Sequence, residues 1–171
     1  MAFHAYPYRE EEPRPGRPPV VRPTVDLRVT AREEIMVRSL VDTGAPFCIF
    51  SRAIAEAVDV DMRPGRGLDR EIRILGGVHN SRLATVGLQL PPFEGVTWDA
   101  ECAFLYEDLD LSFAGILGQE GFLDRWVASF NMYDGFFVIE ERDDFVQRLG
   151  IDPMDFINGF YDSEWERPTR D

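Results

Sequence analysis

The chain has 171 residues and a formal net charge of −13, long enough for one ordinary domain with a real core and of the wrong sign for a phosphate-binding surface. All 18 basic residues are arginines, which excludes Schiff-base and P-loop lysine chemistry. No apolar run approaches the roughly 20 residues of a membrane span, and the start lacks the basic-then-apolar layout of a signal peptide. A soluble, cytoplasmic protein that binds neither nucleic acid nor membrane is expected.

Residues 1–23 hold half of the 12 prolines, interleaved with Arg and Glu. Such a segment is read as a disordered Pro-rich tail, with a Pro-rich ligand for a partner domain as its rival. Val25, Leu27 and Val29 then alternate with Asp26, Arg28 and Thr30, the period of a half-buried strand. A turn follows, and residues 35–41 form a second strand. After Phe50, Ser51 is placed to cap a short helix through Val58, with Ile54 and Val58 on one face.

A Gly/Pro/Arg loop covers residues 61–69. Residues 70–84 are two strand-like arms around Gly76, Gly77 and Asn80, which predicts a hairpin. Residues 83–90 alternate again. Residues 98–105 are a strand with Trp98, Ala100, Cys102 and Phe104 on one face, followed by an acidic loop over 106–112. Residues 113–118 are apolar and lead into a predicted helix over 119–125. Residues 127–131 and 136–140 flank Tyr133-Asp134-Gly135, a hairpin with an Asp-Gly turn.

Many short strands with Gly/Pro turns imply an all-β, closed, barrel-like fold with one or two short helices. Past Glu140 the pattern changes. Residues 143–149 with Gly150, and 152–158, are predicted short helices. Residues 141–171 thus form an acidic, partly helical extension whose aromatics dock on the body or recruit a partner.

Cys48 and Cys102 lie in apolar strand-like segments, where buried free thiols are expected rather than a disulfide. Two Cys and two separated His (His4, His79) offer no metal spacing, and no organic cofactor is implied.

The chemistry concentrates in residues 39–50, Ser-Leu-Val-Asp-Thr-Gly-Ala-Pro-Phe-Cys-Ile-Phe. An Asp-Thr-Gly arises by chance in roughly one chain in thirty of this length, so its flanks decide. Ile35, Val37, Leu40 and Val41 lead in, and Phe47, Ile49 and Phe50 lead out. That pattern suits a loop between buried strands rather than a surface turn. Aspartyl chemistry needs two carboxylates sharing a proton, because like charges about 3 Å apart cannot both ionise. With one Asp-Thr-Gly and no Asp-Ser-Gly, the partner of Asp42 must be Asp42 of a second copy. The motif therefore implies a reaction and a homodimer together.

Val41-Asp42-Thr43-Gly44-Ala45, a Gly-containing hairpin some thirty residues on, and Ile116-Leu117-Gly118 come in the order of the retropepsin-like aspartic peptidases, and the chain resembles that single-lobe family. The run from Ala114 to Trp126, followed by a hairpin, is most similar to its bacterial branch. The resemblance covers residues 24–140 as the protease domain. It implies a homodimeric endopeptidase acting on peptide or protein substrates. In it, Asp42 activates water with its dyad mate, Thr43 braces the two loops across subunits, and Gly44 and Ala45 border the substrate backbone. Leu75, Gly76, Gly77, Val78 and His79 form a flap tip over the substrate, and Ile116, Leu117 and Gly118 support the loop from behind. Some viral members carry an Asp two residues after the motif Gly and an Arg after the second Gly, forming an ion pair. Here those places hold Pro46 and Gln119. The rival reading is a catalytically silent module that keeps the fold and holds a peptide or partner in its groove.

Overall fold

Val25, Leu27 and Val29 are fully buried while Asp26, Arg28 and Thr30 reach the surface, so the alternation places one face of β4 (Thr24–Thr30) inward. The computed structural model describes residues 3–11, 19–65, 68–74, 76–108 and 113–150. Residues 12–18, most of the acidic loop and the expected helix at 152–158 lie outside the described residues.

β4 pairs antiparallel with β5 (Glu34–Val41) in the register Leu27↔Val37. β10 (Gly115–Leu117) runs parallel to β5, with Ile116 opposite Leu40 and Leu117 opposite Val41. β6 (Ile49–Phe50) is antiparallel to β10 and parallel to β9 (Thr97–Leu105). The 13-residue β8 (Gly77–Gln89) pairs with β9, and its last residues reach β4 through Val29↔Leu88. That last pairing closes the ring β4-β5-β10-β6-β9-β8 and leaves it no open edge. β7 (Asp69–Ile74) hangs from the first half of β8 as a hairpin arm.

The N-terminal stretch departs from the expected tail. Residues Phe3–Pro7 form β1, antiparallel to β12 (Phe136–Glu141), which also pairs with β11 (Trp126–Asn131). Tyr6 is buried against Phe137 at 5.4 Å, which supplies the apolar burial that the proline-rich composition hides. Arg9 and Glu10 (β2) pair with Val21 and Arg22 (β3). Arg9 then forks onto Asp26 of β4 with bonds of 2.9 and 2.8 Å.

Two further expectations change. α1 (Arg52–Ala57) follows Ser51, but the Ser51 side chain makes no capping bond. Asp108 Oδ1 instead accepts the Ala53 N–H at 2.9 Å, a cap supplied from another loop. Residues 119–125 are wound turns rather than a helix. Leu123 N donates to Gly118 O and Asp124 N to Gln119 O, five residues back instead of four. Gly121 at φ +88° breaks the helical path.

Beyond β12, α2 (Arg142–Leu149) ends on Gly150 in the left-handed conformation. Arg148 holds the buried Glu140 by two bonds, 2.7 and 3.2 Å, tying α2 to the three-stranded sheet. Cys48 and Cys102 are free and buried. The Cys48 sulfur beside it and its burial push the Cys102 thiol well up.

Candidate active site

β5 enters the Asp42 loop and β6 leaves it, so both strands bordering the motif belong to the closed ring. The loop between them is held by backbone. Asp42 N donates to Leu117 O at 3.0 Å, Ala45 N to Asp42 O at 3.2 Å, Gln119 N to Ala45 O at 2.8 Å and Glu120 N to Pro46 O at 2.9 Å. This ladder continues the β5–β10 pairing past the strand ends, and Phe47 bridges Glu120 at its far side. Gly118 permits the approach. An added Cβ there would fall within 2.7 Å of the Ala45 carbonyl oxygen and closer still to that of Phe47, and backbone cannot swing aside. Ile116, Leu117 and Gly118 therefore lie directly against the loop.

Asp42 is half-buried, whereas Thr43 and Gly44 are exposed. Gly44 N donates to Asp42 Oδ1 at 2.9 Å, an Asx turn in which the motif aspartate caps its own loop. That bond orients the carboxylate and leaves Oδ2 without a hydrogen bond from any described residue. One side chain from outside the loop also reaches it: Gln119 Nε2 donates to Thr43 O at 2.9 Å.

The hairpin expected to act as a flap is present as β7 and β8, turning between Ile74 and Gly77 with Gly76 at φ +79°. Leu75 lies outside the described residues. Val78 is exposed, and His79 is bonded through Nδ1 to Glu107 at 2.5 Å. The arms of the hairpin, rather than its tip, share packing with the loop. Ile72 belongs to a second apolar cluster with Ala45, Ile49, Ala103, Leu105, Phe113 and Ile116, against which Ile74, Leu83 and Phe47 pack.

This wall beside Asp42 joins the loop, the hairpin and β10. Sequence reading did not assign it to a site, although the alternation of Ile72 and Ile74 carried the signal. A cavity of about 310 Å³ opens against it, lined by Phe47, Arg70, Glu71, Ile72, Leu83, Glu101 and Glu120, within the size range of ligand pockets. A second cavity of about 430 Å³, between Trp98, Arg125 and Glu141, shares no lining residue with the loop.

Pro46 and Gln119 replace the ion pair of some viral proteases with two different bonds. Pro46 offers only its carbonyl, which Glu120 N uses, and Gln119 turns to Thr43. Among the described residues no three His, Cys, Asp or Glu side chains gather to hold a metal ion, and no helix is long and apolar enough to cross a membrane.

No family model and no curated protein matches the sequence. Solved structures do match. A retropepsin-like aspartic protease from Rickettsia conorii superposes with a TM-score of 0.51 at 10% identity, over 81% of this chain and 90% of that one. An EIAV protease complexed with the inhibitor HBY-793 matches with a TM-score of 0.42 at 17% identity, over 77% and 90% of the two chains. The first likeness and the ring-closed sheet agree: this chain has the fold of the retropepsin-like aspartic proteases.

Proposed function

We propose that the protein is an aspartic endopeptidase that works as a homodimer, with Asp42 of each copy forming the catalytic dyad. The observation that carries this reading is the Asp42 loop itself. A half-buried carboxylate, with one oxygen fixed by Gly44 N–H and the other accepting no hydrogen bond from the described residues, stands next to the exposed Thr43 and Gly44, beside an apolar wall and a hairpin. Two such faces brought together by a twofold axis give two carboxylates at one place.

In that arrangement the pair shares one proton. The ionised Asp42 takes a proton from water as the oxygen attacks the peptide carbonyl, and the protonated Asp42 gives its proton to the carbonyl oxygen. Collapse of the tetrahedral diol then breaks the C–N bond: the first Asp42 gives the proton it took from water to the leaving nitrogen, and one diol hydroxyl returns its proton to the second Asp42. Thr43 is exposed and available to brace the partner's loop. Because β1 is already paired with β12 of its own chain, we expect the dimer to centre on the Thr43–Gly44 face rather than on exchanged N-terminal strands. The two buried free thiols suit a reducing, cytoplasmic setting.

The reading is tested with the full chain on a peptide library, alongside sedimentation. Asp42→Asn should lower cleavage on the order of 10²- to 10⁴-fold, the contribution of a positioned acid–base group, while dimer and fold persist. Cleavage retained by that variant, or full activity in a strict monomer, would refute it. The missing Asp/Arg ion pair favours the alternative, a silent peptide-binding module. That alternative is supported if the library is bound but not cut.

A further inference from the structure

The Thr43–Gly44 peptide group is engaged at both ends. Its carbonyl accepts from Gln119 Nε2 at 2.9 Å, and its N–H donates to Asp42 Oδ1 at 2.9 Å. A peptide is one resonant unit, so a donor at its oxygen draws electron density from nitrogen and makes the N–H a stronger donor. The orientation of the Gln119 amide follows from chemistry, because a carbonyl can only accept and only the NH₂ end can bond to it. The Gln119 backbone is itself fixed by its N–H on Ala45 O at 2.8 Å, so only the side-chain torsions remain to be ordered.

Stability gives this bond little purpose. Gln119 is exposed, and ordering a flexible glutamine side chain offsets much of what one neutral hydrogen bond returns. Its position matters more than its energy, since it acts on the peptide whose N–H holds the carboxylate.

We propose that Gln119 is a positioning residue that sets the strength of the Gly44 N–H···Asp42 bond through the Thr43–Gly44 peptide, and so fixes the catalytic carboxylate. This rests on the reading of Asp42 as catalytic. Three full-length variants separate donor chemistry from shape. Gln119→Met keeps length without a donor, Gln119→Glu at neutral pH keeps shape without a donor, and Gln119→Arg keeps a donor within reach.

In the first two variants the Gly44 amide proton resonance should move upfield and kcat should fall about 3- to 10-fold, with KM and melting temperature nearly unchanged. Gln119→Arg should keep kcat near wild type and leave the Gly44 resonance in place or move it downfield, since a charged donor is at least as strong. A purely structural role would lower the melting temperature or raise KM and leave the Gly44 resonance in place. An unmoved Gly44 resonance in Gln119→Met, or an equal kcat loss in Gln119→Arg, overturns the proposal. If the wild-type chain cuts no peptide, the peptidase reading fails by itself, and the Gly44 resonance alone decides whether Gln119 sets the bond.

Discussion

Around Trp126 the structure is made of rings. Phe93 lies 4.6 Å away, Trp98 5.5 Å and Phe122 6.5 Å, and Arg125 stacks over both Trp98 and Trp126. Around Asp42 the structure is made of backbone: four main-chain bonds, one glycine where any side chain would collide, and one glutamine amide. Ring packing is broad and tolerant, because dispersion and apolar burial fall off gradually with displacement. A backbone ladder positions atoms to tenths of an ångström and contributes less net energy per bond. The three-stranded sheet is therefore where stability should be lost by mutation, and the loop is where function should be lost first.

The comparison breaks most visibly at Trp126. Trp126 is 1% exposed, and its indole Nε1 has no hydrogen-bond partner among the described residues. Trp126→Ala should cost about 3–5 kcal/mol in denaturant unfolding while leaving peptide cleavage per folded molecule intact. Trp126→Phe should recover much of that, since it keeps a ring and removes an unsatisfied donor. A variant that stays folded but inactive would show that the sheet also shapes the site.

Gly118 is the converse test. Gly118→Ala should cost about 1–3 kcal/mol by overpacking, yet reduce cleavage far more than that loss of folded protein accounts for. Full activity in a folded Gly118→Ala protein would mean that the loop does not depend on close approach.

How far these regions were legible in the sequence follows from the range of the contacts that build them. β4 was read from Val25, Leu27 and Val29 because alternation is local. The Asp42 loop was read from its apolar flanks, and the hairpin from Gly76 and Gly77. β1 was not, since its partner β12 lies some 130 residues away and only the His4-Tyr6-Tyr8 alternation marks it among prolines. The turns at 119–125 resembled a helix because the residue types permit one; Gly121 takes a positive φ, and a Cβ there would meet Ala100 and Cys48, neighbours distant in sequence. At the end of β9, residues 102–105 are all buried, since Cys102 and Phe104 face the main core while Ala103 and Leu105 face the wall beside Asp42. One-face alternation conceals such a two-sided strand.

A smaller effect is expected at the hairpin tip, which belongs to neither regime. Gly76 at φ +79° meets no neighbour within 4 Å of an added Cβ, so Gly76→Val costs only backbone strain, about 1–2 kcal/mol. Turnover should slow, while the unfolding midpoint moves by less than that strain implies, because the tip can relax without disturbing the core. Hydrogen exchange at the hairpin tip should be fast in the free protein and slowed by a bound peptidomimetic. Strong protection without ligand would make this hairpin a fixed turn and not a flap.

The smallest effect belongs to the fork that ties the N-terminal segment to the barrel. Arg9 holds Asp26 with two bonds, Arg38 adds a longer contact at 3.6 Å, and both side chains of the fork are partly exposed. Such pairs contribute about 0.2–1 kcal/mol. The Arg9 hydrogen bonds hold the Asp26 carboxyl below its ordinary value of 3.8. A depressed carboxylate stabilises the fold above the unfolded value and ceases to do so as pH falls through the folded one. Arg9→Ala should therefore lower the urea midpoint slightly at pH 7, and that deficit should vanish on acidification to below the folded value. Burial pushes the neighbouring Tyr6 phenol up, so it stays neutral throughout this window and does not add to the titration. If the deficit persists or grows in acid, Arg9 acts through the packing of its side chain and not through the charge on Asp26.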